Sequence, residues 1–150
     1  MLVRSLFTAV LIISVGLLFT SCNDTSATSE EDATTEEVTD NQAEIEKAFD
    51  DLKEDYHLIM AETFHPAEEG NLEPLKTRYA ELASKSTAWN DIIMPNKYKE
   101  NGLDKSLALL SKESKEIGDL VKSGATDEEL TKAISALHDR FHEIQGKCDH

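Results

Sequence analysis

An all-α fold, an antiparallel up-down-up-down four-helix bundle, is predicted for residues 40–150. Three observations predict it. Apolar residues recur through this stretch at spacings of three and four, residues that start or stop helices divide it into four segments, and no segment alternates apolar and polar residues as a strand would. The stretch is about 110 residues long, a good size for one small domain, and mostly short connections between its helices make sequential neighbours antiparallel.

The first helix is expected from about Asn41 to Phe64, with Ile45, Phe49, Leu52, Tyr56, Ile59 and Met60 on one stripe. Thr39 with Gln42, or Asn41 with Glu44, offers a capping box at its start. His65-Pro66 is expected to stop it, because proline disfavours helical geometry in the residue before it. After a loop ending at Gly70, Asn71 is a natural N-cap, and Pro74 is tolerated in a first turn whose N–H groups have no helical partner. The second helix then carries Leu72, Leu75, Tyr79, Leu82, Ala83 and Ser86 toward Trp89.

The connection from Ile92 to Gly102 is longer and holds enough apolar residues to pack over one end of the domain. Helix three follows with Leu103, Leu107, Leu110, Ile117, Leu120 and Val121, and Gly124 is its expected C-terminal cap. Thr126-Asp-Glu-Glu129 is a capping box for helix four, whose stripe is Leu130, Ile134, Leu137, Phe141 and Ile144.

The chain upstream is of a different kind. Arg4 precedes an apolar run from Leu6 to Phe19, and Thr20-Ser21 lead into Cys22. That order is the basic, apolar and small-residue order of a secretory signal, and the run falls short of the roughly 20 apolar residues of a membrane-spanning helix. Residues 18–22 resemble the lipobox of bacterial lipoproteins, with Phe19 where Leu is usual, and loose boxes ending in Ser-Cys resemble those of Bacteroidota. The resemblance implies that residues 1–21 are removed, that Cys22 is diacylated on sulfur, and that the mature protein is held at an outer or inner membrane of the cell envelope, facing the periplasm or the cell surface. Residues 22–39, rich in Ser, Thr, Asp and Glu and without a basic residue, then read as a disordered acidic tether that buries too little apolar area to offset chain entropy.

With 30 acids against 15 basic residues, the chain carries a formal charge of -15; losing Arg4 with the leader takes one further positive charge away. Such a surface has no means of displacing counterions from phosphates, which argues against nucleic acid, and it does not attract anionic head groups. Membrane attachment would therefore come from the acyl chains.

No glycine-rich phosphate loop, His-Glu-x-x-His helix or Gly-x-Ser-x-Gly elbow occurs, so no enzymatic role is predicted. The histidines are the distinctive residues. His138 and His142 are four apart, on one helix face, and neutral imidazoles at that spacing can share one Zn, Cu or Ni ion. If the His65 end of helix one lay beside the Asp127 start of helix four, His57 would stand within roughly 5 Å in height of His138. A site of His57, His138 and His142, completed by Met60 or Glu62, is then permitted, serving to sequester or buffer a metal. Alternatively these boundary histidines are solvated or bonded to Glu54 or Asp139, and the bundle is a structural lipoprotein that meets another envelope protein. His65 with Glu62, Glu68 and Glu69 forms a second candidate cluster, and Cys148 and His150 a third.

Candidate ligands on the first and last helices also resemble the cytochrome b562 and cytochrome c′ layout. That resemblance implies a b-type haem held by Met60 and a helix-four histidine. The Cys-x-x-Cys-His pattern for covalent haem is absent.

Overall fold

The computed structural model describes residues 33–149. The leader, Cys22 and His150 lie outside the described residues. The architecture is an all-α four-helix bundle in which α1 (Ala33–Glu68), α2 (Glu73–Asp91), α3 (Leu103–Ser123) and α4 (Asp127–Cys148) each pack on the next, and α4 returns to α1. A single 3₁₀ turn, Asn96–Tyr98, interrupts the α2–α3 connection.

The expected stripes form the core. Phe49, Tyr56, Ile59 and Met60 from α1, Leu75, Leu82 and Trp89 from α2, Leu103, Leu107, Leu110 and Ile117 from α3, and all five apolar positions of α4 are buried. Full burial of side chains of this size is worth about 1.5–3 kcal/mol each before entropy is counted. At the centre, Trp89 lies 5.6 Å from Phe49, 5.9 Å from Tyr56 and 6.2 Å from Phe141, so one indole joins three helices. Ser114 donates to the Leu110 carbonyl at 2.8 Å, which leaves its oxygen to accept from the Tyr56 hydroxyl at 3.3 Å. Burial pushes the Tyr56 phenol far above its ordinary pKa and keeps it a neutral donor.

Two limits of α1 differ from expectation. The helix begins at Ala33, inside the stretch read as an extended tether. Once the amphipathic part is helical, each added residue needs no new nucleus, so the helix extends beyond its apolar stripe. The capping boxes expected at Thr39 and Asn41 are therefore interior positions.

The helix also runs through Pro66 rather than stopping before it. Termination belongs to Gly70, at φ +86°: its N–H donates to the Ala67 carbonyl at 3.0 Å, and the Asn71 N–H donates to the Pro66 carbonyl at 2.8 Å. These two bonds make a Schellman cap, which needs a left-handed residue. The next helix is capped one residue later than expected: Leu72 is the N-cap and makes no side-chain cap bond, while Asn71 stands just before it, its side-chain oxygen accepting from the Glu73 N–H at 3.1 Å.

Gly124 and the Thr126–Glu129 capping box stand where the sequence placed them. The α2–α3 connection likewise lies against the core, with Tyr98 buried 5.3 Å from Phe49.

Polar links are unevenly spread over the seams. Arg78 with Glu62 and Lys85 with Asp55 join α2 to α1, and Arg140 reaches both carboxylate oxygens of Glu113 at 3.2 Å to join α4 to α3. The α1–α4 seam is the more sparsely packed, and among the described residues no hydrogen bond or ion pair crosses it. Rings meet there instead: Tyr56 and His57 against Phe141, and Phe64 against His138.

Candidate functional site

Leu137 and Phe141 point into the core, so His138 and His142, each one residue further round α4, face the α1 side of the bundle. Their Nε2 atoms are 3.1 Å apart, and the two rings meet edge to face with centroids 4.4 Å apart. One Nε2 must donate and the other accept, so this arrangement requires at least one ring to be neutral. The His138 ring is half-buried and lies on Phe64 with centroids 3.7 Å apart and planes within 13°. Burial pulls the His138 pKa down, with help from neighbouring His142, while Asp139 and Glu68 act in the opposite direction.

Beside this pair stands His65, whose ring centroid is 6.5 Å from that of His138. Its Nδ1 lies 3.3 Å from Glu68 Oε2. Glu68 is three residues on along α1, a neighbouring position on the helix surface that exists because the helix continues past Pro66. Glu69, by contrast, lies beyond the helix end, where its N–H donates to the Pro66 carbonyl.

His57 stands elsewhere. Its ring stacks on Phe141, with centroids 5.3 Å apart, and its Nδ1 is 3.9 Å from Glu54. The reason is register. Phe64, not His57, is level with His138, and seven residues of helix place His57 about 10 Å further along the axis. The expected pairing of the His65 end with Asp127 does not occur: His65 stands beside His138, eleven residues on from Asp127, and Asp127 pairs with Lys76 of α2 at 2.6 Å. The structure thus brings His138 and His142 to one point, places His65 at its edge, and leaves His57 apart.

Met60 is 1% exposed in the core, and Glu62 is drawn toward α2 by Arg78. A haem slot between Met60 and a helix-four histidine does not fit these residues. The Met60 side chain is packed in, and Phe64 covers the ring face of His138.

Cys148 ends α4 as a free, half-buried thiol packed against the core, and the Tyr98 hydroxyl donates to its carbonyl at 3.2 Å. Burial pushes the thiol pKa up, partly opposed by Lys53, which makes it a poor nucleophile. Ten residues of helix, about 15 Å, separate it from His138.

Among the described residues, no three His, Cys, Asp or Glu side chains already converge on a common metal position, and no helix is long and apolar enough to cross a membrane. Phe64 and Glu68 are the neighbours that the histidine spacing alone did not single out as partners of helix four. His65 and Glu68 stand together as the second candidate cluster expected from the sequence; what the spacing does not contain is their approach to His138 of helix four. Comparison with family models, curated proteins and solved structures finds no match to this chain.

Proposed function

We propose that this chain is a lipoprotein of the cell envelope, anchored through acyl chains on Cys22, whose helical bundle binds a transition metal ion at His138 and His142 and so sequesters or buffers it. The observation that carries the metal reading is the 3.1 Å separation of the two Nε2 atoms on a solvent-facing side of α4. Two nitrogens each about 2.0–2.1 Å from a tetrahedral zinc ion stand about 3.4 Å apart, so a few tenths of an ångström of ring movement admit the ion. Neutral imidazole suits Zn(II), Cu(II) and Ni(II) alike. The lowered pKa of His138 keeps that ring available as a lone-pair donor at neutral pH. The anchoring reading is supported by the Arg4, Leu6–Phe19 and Ser21-Cys22 order, and the charge of -15 leaves the acyl chains as the means of attachment.

Calorimetric titration of the whole chain with Zn(II) and Cu(II), beside His138→Ala and His142→Ala variants, tests the metal reading. Saturable binding that either substitution weakens at least tenfold is expected. Equal binding in all three proteins sinks the helix-four site, and no binding in the unaltered chain leaves the bundle as a structural or interaction module. For the anchor, mass spectrometry of the envelope-extracted protein should find acyl groups on Cys22 and none after Cys22→Ser.

A further inference from the structure

The α1–α4 seam is closed by rings with no polar link among the described residues, and the candidate metal pair stands at its edge with a histidine of α1 beside it. We propose that His65 is a third ligand, so that a metal held by His138 and His142 of α4 is also held by α1 and clamps the two helices together across their seam. This inference rests on the metal-binding reading above.

Three features support it. First, His65 has its Nδ1 beside Glu68 Oε2 at 3.3 Å. A carboxylate there fixes the proton on Nδ1 and leaves the Nε2 lone pair free, the arrangement in which outer carboxylates usually hold metal-binding histidines. Second, His138 and His142 also turn their Nε2 atoms toward one another, so all three rings would present the same nitrogen. Third, the distances can be closed. Imidazoles on one tetrahedral zinc have ring centroids about 5 Å apart, given metal–nitrogen distances of about 2.0–2.1 Å. His138 and His142, at 4.4 Å, must spread by under an ångström, and His65, at 6.5 Å from His138, must approach by about 1.5 Å. The His65 side chain is 66% exposed and has room to do so. Phe64 beneath His138 keeps the central ring in place while the outer two adjust.

The consequence is regulatory: metal occupancy would tighten the seam that the protein's own contacts hold least. Zn(II) titration and thermal unfolding of the whole chain, with and without His65→Ala and Glu68→Gln, separate the possibilities. Three results together support the clamp: Zn(II) raises Tm, His65→Ala loses most of that rise and at least tenfold in affinity, and Glu68→Gln loses about tenfold in affinity, as expected for an outer carboxylate. If Zn(II) binds the unaltered chain but His65→Ala keeps both the affinity and the full Tm rise, the clamp is overturned and the two-histidine site remains. If the unaltered chain binds no Zn(II), both fall. Because His65 is solvent-facing, its loss should leave the metal-free Tm unchanged, and the His65→Ala comparison does not depend on a damaged fold.

Discussion

The imidazole of His138 lies flat against the ring of Phe64, centroids 3.7 Å apart, and this contact fixes which parts of α1 and α4 are level. It shields one face of the imidazole from water while the other ring edge turns to His142.

Protonating that ring therefore costs more in the folded protein than in the unfolded chain. Its folded pKa lies below the ordinary 6.5, so the stability it contributes is present above 6.5 and is lost as the pH falls through the folded value. The groups facing it are Phe64, His65 and Glu68 from α1 and Asp139 and His142 from α4. Thermal unfolding followed from about pH 8 to about pH 5, the range of histidine titration, should show Tm falling on the acid side. His138→Gln should flatten that fall, and a profile identical to the unaltered chain's would refute the assignment.

Phe141 joins the aromatic centre to the seam through Tyr56 and Trp89. Truncation to alanine removes contacts on both and opens a cavity where the backbone cannot collapse. Phe141→Ala should lower the unfolding free energy by about 3–5 kcal/mol in urea melts.

At the start of α4 the Thr126 oxygen accepts from the Glu129 N–H, and the Glu129 carboxylate accepts from the Thr126 N–H. The latter bond holds the Glu129 pKa below its ordinary value. Thr126→Ala should cost about 1 kcal/mol, and Thr126→Ser should recover most of it in the same denaturant titration.

Gly70 has φ +86° and open space where a Cβ would sit, so only backbone strain opposes a side chain there. Gly70→Ala should destabilise by about 1–2 kcal/mol, with Gly70→Asn less costly because Asn tolerates the left-handed region. Equal stability of both variants with the unaltered chain would remove the Schellman cap as the terminator of α1.

Much of this was legible in the residues themselves. The stripes of α2, α3 and α4 follow from periodicity, and Gly124 and the Thr126–Glu129 box are local chemistry that the fold has no reason to override. The end of α1 was harder to read, because the bias before Pro66 is a local preference that a continuous amphipathic helix and a better terminator four residues on can outweigh. That shift changed the candidate site. Which α1 histidine stands level with His138 depends on where α1 ends relative to α4, and no single-helix pattern contains that offset.

The seams also differ in how far apart along the chain their residues lie. Each of α1–α2, α2–α3 and α3–α4 joins helices that are consecutive in the chain, whereas Phe64 and His138 come from the first and last helices. Closing that longer loop carries the larger entropic cost and is repaid by fewer contacts. The three hairpin-like pairs should therefore assemble first, with α1 and α4 meeting last. By the same reasoning, amide hydrogens along this pair should exchange at lower opening free energies than those of α2 and α3.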